Sequence, residues 1–263
     1  MHYSILDPTG NITALVEDKV SINEQPRVAK LIMSKHPEVE QVGFVCFSPS
    51  KATQVRLRMA GGEFCGNATM CAAALFFRSV ANAPNHVRLT VSGSRQPVEV
   101  SVRPVSPNEY KTSILMPPPV DICNATFVLN KTEVTVPIVV MEGISHAIVD
   151  ESSVAFCLKN QQSEAQSTVM SLCDSLNADG LGLMFLERRA DDYALTPLVY
   201  VPQSNTVFWE SSCASGSAAV GAYLSWHSHS PINVTLHEPG GDLLVESDWS
   251  TRRTTLHGSV AFA

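Results

Sequence analysis

Gly62-Glu63-Phe64-Cys65-Gly66-Asn67-Ala68 and Glu210-Ser211-Ser212-Cys213-Ala214-Ser215-Gly216 are the two stretches from which the rest of the chain is read. Each sets one cysteine among small residues. Each is followed by an Ala-rich run, 66–80 or 214–226, that is mostly apolar all round, which predicts a buried helix. Working outward, the flanking features repeat in the same order. Gly10–Glu17 (GNITALVE) matches Gly143–Asp150 (GISHAIVD), and Gln41–Val45 matches Gly180–Met184. Each half closes on a Gly-containing turn and strands. This predicts an internal duplication: two α/β units with a cleft between them, where ligand sites are common. In it Cys65 and Cys213, 148 positions apart (213 − 65), are equivalent residues.

The rest of the chain reads as short β-branched runs between turn signals. Strands are expected at 12–16, 42–47, 54–59, 87–91, 98–102, 112–115, 136–140, 147–149, 181–186, 195–201, 232–236, 243–246 and 254–256. Period-3.6 spacing adds helices over 25–34 and 164–176. The Pro-rich Met116–Pro119, with the VDICNATFVLN that follows, reads as a connection. The division expected is a first domain over 1–119 and a second over 120–263.

Composition excludes several classes. The 263 residues are 44% hydrophobic and 16% charged, enough for a large core, and the net charge of −7 argues against a nucleic-acid binder. No apolar run is long enough to span a membrane, and the N-terminus lacks the pattern of a secretory signal. A cytoplasmic protein is expected. Seven cysteines, an odd number in a chain this long, do not read as a disulfide framework, and no zinc-site spacing appears. His227-Ser228-His229 sits at a helix end and reads as capping or solvated, and Cys71 reads as packing.

The chemistry follows from where the two cysteines stand. A helix start has unpaired N–H groups and partial positive charge. That lowers a thiol's pKa and makes an anion site suited to a carboxylate. Gly66, Ala214 and Gly216 let a ligand approach the backbone. Two such starts facing each other would hold a carboxylate between two thiols, one to take an α-proton and one to return a proton to the other face. The helix starts would stabilise the enediolate formed between. This is cofactor-independent racemase or epimerase machinery. No serine-hydrolase elbow surrounds Ser215. A ligand-binding relative that kept the fold is the non-enzyme alternative; retention of both cysteines speaks against it.

On these motifs, with Gly10-Asn11, Glu142-Gly143, His146 and the closing Leu256–Phe262, the chain resembles the diaminopimelate epimerase family over essentially its whole length. The resemblance implies two pseudo-symmetric α/β (α+β) domains. Each is a strongly curved, mostly antiparallel sheet wrapped around a central helix, with the active site in the cleft and residues from about 253 to 263 packing back on the first domain. It implies Cys65 and Cys213 as the acid/base pair, with no pyridoxal phosphate and no metal, and a homodimer. Asn11, Gly66, Asn67, Ser215 and Gly216 would line the amino-acid end of the substrate. Glu210 and Ala214 join them from the second motif.

The departures point to one branch. Cys-Gly-Asn-Gly-x-Arg of diaminopimelate epimerases is Cys65-Gly66-Asn67-Ala68-Thr69-Met70 here. The Arg that holds a distal carboxylate before the second cysteine is missing, since no Arg lies between Arg189 and Arg252. Asp7–Asn11 and Gly61–Thr69 look closer to the histidine racemases that supply D-histidine for staphylopine-type opine metallophores. Diaminopimelate or another amino acid is the alternative substrate. An imidazole would want an apolar wall and polar partners. Phe64, Phe208, Trp209 and Glu210 flank the motifs, while His36, Glu40 and Gln41 lie where relatives place further pocket residues. His146 reads as either a supporting or a direct catalytic group. Asn177 reads as either a substrate contact or a plain turn.

Overall fold

The computed structural model describes residues 1–48 and 53–263. The first half runs β1 (Tyr3–Asp7), β2 (Thr13–Val16), α1 (Gln25–Lys35), β3 (Gln41–Phe47), β4 (Val55–Met59), α2 (Gly66–Ser79), β5 (His86–Val91), β6 (Val98–Ser106) and β7 (Glu109–Leu115). After β8 (Asp121–Leu129) the order repeats: β9 (Thr132–Val140), β10 (Ser145–Asp150), α3 (Gln162–Leu176), β11 (Leu181–Arg189) and β12 (Asp192–Val201). Then come a short extra strand β13 (Thr206–Trp209), α4 (Ala214–Ser228), β14 (Ile232–Glu238), β15 (Gly241–Asp248) and β16 (Arg253–Phe262). The pairing repeats as well. β2 with β3 and β4 with β5 are parallel, and so are their counterparts β10 with β11 and β12 with β14. The remaining pairs are antiparallel, as in β5–β6–β7 and β14–β15–β16.

One continuous sheet carries both halves, with β7 bonded to β16 and β16 to β15. β1 also pairs with β16, which closes β1–β7 and β16 into a ring. α2 threads that ring and touches β2 to β7 and β16. Its residues from Gly66 to Phe76 are all buried, and Ala68, Ala72, Ala73 and Ala74 keep it thin enough to be enclosed. α4 occupies the same place in the second half, against β9–β11 and β14–β16. α1 and α3 pack on the outside. Period-2 alternation then divides each strand between two cores. On β2, Leu15 faces α2 while Ala14 and Val16 face α1; on β10, Ile148 faces inward while Ala147 and Val149 face α3. These strands are buried on both faces and so read as unbroken apolar runs.

All four expected helices are present. The expected connection is shorter than the sequence suggested, because 121–129 is strand β8, with Met116–Val120 alone as the link. β8 escaped notice because it is an edge strand whose only buried side chains are Ala125 and Leu129. β1 and β13 were also not expected. Among the described residues no helix is long and apolar enough to cross a membrane.

Candidate active site

α2 and α4 begin against each other in the middle of the molecule. Cys65 and Cys213 are their N-cap residues, both with extended backbone. Each thiol does what a cap side chain does. The Ala68 N–H donates to Cys65 Sγ at 3.3 Å and the Gly216 N–H donates to Cys213 Sγ at 3.4 Å. The approach is close enough that a methyl group on Gly66 would stand 2.8 Å from Ala214 Cβ. Asn67 Nδ2 donates to the Ser212 carbonyl at 2.9 Å and ties one helix start to the other.

Both thiols line one small cavity. Gly66, Asn67, Ala214 and Ser215 contribute its backbone floor; Phe64, Ile144, Val199 and Val201 its apolar wall; Gln41, Glu63 and Glu210 its polar side. The Cys65 thiol donates to Gln41 Oε1, and Gln41 Nε2 donates to Glu210 Oε1 at 2.8 Å. Two acceptors on buried side chains, Asn67 Oδ1 and Glu210 Oε2, have no partner among the described residues.

Behind the wall, two carboxylates organise the second helix start. Glu238 accepts the Cys213 N–H at 2.6 Å and the Ser217 hydroxyl. Glu40 accepts from Asn11 Nδ2 at 2.8 Å and from the Ser211 N–H at 3.1 Å, so it joins the two halves beside the cavity.

The electrostatics reverse one expectation. Helix-start N–H groups do pull the Cys65 thiol down, but loss of solvent outweighs them and raises its pKa, with a further push from the charges of Glu210 and Glu63. Burial raises Cys213 as well, and Glu210 and Glu238 add to it. Partial charges at a helix end act over one turn; desolvation acts on the whole thiolate. Burial also drives Glu210 to about 8, with Glu40 and Glu238 adding to the rise and the Gln41 hydrogen bond opposing it. Glu238 rises to about 7 for the same first cause.

Of the residues singled out in the sequence, Cys65, Cys213, Phe64, Gly66, Asn67, Gln41, Glu210, Ala214 and Ser215 meet at the cavity. Gly216 stands just behind, supplying its N–H to Cys213. Asn11 does not line the cavity; it is fully buried and spends its amide on Glu40. His146 is buried on β10, outside the lining, with neither ring nitrogen bonded among the described residues. Burial pushes its pKa down to about 3, so it is a neutral ring. Asn177 caps the C-terminus of α3 in the left-handed region (φ 49°), a conformation Asn tolerates, and does not line the cavity. Trp209 stacks on Phe185 at 5.6 Å, His36 bonds the Tyr3 hydroxyl at 2.9 Å, and Cys71 is core. Glu63, Glu238, Ile144, Val199 and Val201 were missed. Glu63 had a signal, two residues before Cys65 in the deciding motif. Glu238 had only its place before the Pro239-Gly240-Gly241 turn. Among the described residues no group of three or more His, Cys, Asp or Glu is gathered to hold a metal ion.

The fold is shared with a hydroxyproline epimerase from Agrobacterium vitis, at 11% identity and a TM-score of 0.65, covering 99% of this chain and 92% of that one. Sequence similarity goes further. A histidine racemase of Staphylococcus aureus is 27% identical over 259 residues, covering 94% of this chain and 88% of that protein. One of Fusobacterium nucleatum is 29% identical over 255 residues, covering 92% and 89%. The family model described as the histidine racemase CntK N-terminal domain matches residues 1–262. The chain therefore belongs to the histidine racemase family and is an amino-acid racemase.

Proposed function

We propose that the protein interconverts L- and D-histidine by a two-base mechanism in which Cys65 and Cys213 face opposite sides of the substrate Cα. The observation that carries this is the placing of both thiols at facing helix starts in one cavity. One cysteine, as thiolate, takes the α-proton and becomes a thiol. The electron pair left on Cα moves into the carboxylate, giving an enediolate. The other cysteine, as thiol, gives its proton to the opposite face and is left as thiolate. The helix-start N–H groups meet the carboxylate, where negative charge grows. The unpartnered Asn67 Oδ1 and Glu210 Oε2 suit the α-ammonium.

The raised thiol pKa values have a place in this scheme. Glu210 is a shared cause for both cysteines. An ammonium bound against it cancels that charge, so substrate binding itself eases thiolate formation. Histidine as substrate rests on the family. So do a homodimer and delivery of D-histidine to an opine metallophore.

The test is incubation of L-histidine with the protein in D2O, following α-deuteration and loss of optical rotation. Both are expected with histidine; exchange with diaminopimelate and not histidine would overturn the substrate. Cys65→Ser and Cys213→Ser should each abolish racemisation, and full activity in either would refute the two-base assignment.

A further inference from the structure

Beside the reaction cavity lies a second space, bounded by Ala29 and Met33 of α1 and Phe208 of β13. The two share Gln41, Glu63, Val199, Val201 and Glu210. For a substrate held by its amino-acid end at the helix starts, this adjoining space with its five shared lining residues offers a place for the side chain. Three of the shared residues are polar: Gln41, Glu63 and Glu210. Gln41 is spent on Cys65 and Glu210, and Glu210 Oε1 is spent on Gln41. Glu63 Oε2 is buried at the junction and has no hydrogen-bond partner among the described residues.

Its position is built, not incidental. The Glu63 carbonyl accepts from the Ser92 hydroxyl at 2.8 Å, and that hydroxyl accepts from the Met59 N–H at 2.9 Å. Room for the carboxylate depends on the residue two before it, because a side chain at Gly61 would put its Cβ 2.5 Å from Glu63 Oε2. Burial raises the Glu63 pKa, while the backbone N–H groups of Glu63 and Gly61 and the Arg58 charge oppose the rise; Arg58 lines neither space.

A buried acceptor oxygen without a donor is unfavourable until something supplies one. We infer that Glu63 is a specificity residue: its Oε2 accepts a hydrogen bond from an N–H on the substrate side chain as that side chain passes between the two spaces. An imidazole always has such a donor, one N–H when neutral and two when protonated. An apolar side chain of the same shape has none and leaves the oxygen stranded, which is how polar pockets reject isosteres. The inference rests on the racemase reading of the cavity and deepens it.

The test compares L-histidine with 3-(2-thienyl)-L-alanine, similar in shape and without an N–H, by α-deuteration in D2O. The native protein should prefer histidine at least tenfold in kcat/KM. Glu63→Leu should shrink that preference at least tenfold, with the loss on histidine greater in KM than in kcat. Glu63→Gln, which keeps an acceptor oxygen, should restore part of it. Structural damage slows both substrates in proportion and leaves the ratio fixed, so an unchanged preference in the Leu variant overturns the inference. Native protein that does not exchange histidine at all overturns histidine as the substrate and this inference together. Exchange of histidine with unaltered selectivity in the variant overturns the Glu63 assignment alone.

Discussion

Gly66→Ala is the sharpest probe of the meeting of the two helix starts. The new methyl would lie 2.8 Å from Ala214 Cβ and 3.2 Å from Met116 Cε. Apolar carbons rest at about 3.5–4.0 Å, so relief needs α2 and α4 to part by roughly 0.7–1.2 Å. Overpacking of this kind destabilises by about 1–3 kcal/mol. Replacing glycine in a helix returns up to about 1 kcal/mol, leaving a net loss of about 1–2 kcal/mol. For a chain of this size that is a fall in Tm of roughly 2–8 °C. Catalysis should suffer more. The thiols ride on the displaced helix starts, and a misplacement of about 1 Å lowers rates by about 10²-fold. A kcat reduced about 10- to 100-fold, with the variant still folded by circular dichroism, is expected. Ala214→Gly in the same background removes the opposing methyl and should recover most of the rate and the Tm. Native kcat and Tm in Gly66→Ala, or no recovery in the double variant, would refute the reasoning.

Further outcomes concern pH and the join between the halves. Glu210 and Glu238 have folded pKa values of about 8 and 7, above the ordinary 4.5. Their contribution to stability is full below pH 4.5 and lost as pH rises through 7 to 8. His146, lowered to about 3 from 6.5, acts oppositely, its contribution being lost as pH falls from 6.5 to 3. Tm followed against pH should fall on both sides; Glu238→Gln should flatten the alkaline arm and His146→Phe the acid arm. In catalysis, both thiols are raised, so kcat/KM should still be climbing above pH 8. Glu210→Gln should weaken binding and move that limb to lower pH, and an unmoved limb would remove Glu210 as a determinant of thiol acidity. Glu40→Gln loosens the Asn11 and Ser211 contacts. It should lower kcat/KM by about tenfold with a fall in Tm of roughly 3–12 °C, since a lost charged hydrogen bond is worth about 1.5–3 kcal/mol.

What could be read in the sequence was what is local. Cys65 and Cys213 announce themselves because cap, small residues and buried helix are contiguous, and the repeat doubles the signal. β2 and β10 were readable for the same reason. β8 was not, since it is an edge strand that buries only Ala125 and Leu129 and directly follows the Pro-rich Met116–Pro119. The polar side of the cavity was harder. Gln41 reaches Cys65 from 24 residues away and Glu210 from 169, contacts that only the pairing of strands creates. The thiol acidity was misjudged because the helix end is visible in sequence, whereas full enclosure and the nearby charges of Glu210 and Glu238 are not.

The pairing of β1 with β16 joins Leu6 to Phe262, residues 256 positions apart (262 − 6). During synthesis the ring around α2 stays open by one strand until β16 has been made. From the completion of β7 at Leu115 to Phe262 is 147 residues (262 − 115), roughly 7–29 s at about 5–20 residues per second. Throughout it the edges of β1 and β7 have unsatisfied backbone groups, and α2, whose apolar residues are buried only inside the ring, lacks part of its wall. The first half is thus the first to be translated and the last to be sealed. A nascent chain halted before residue 253 should expose α2 to limited proteolysis that the finished protein resists.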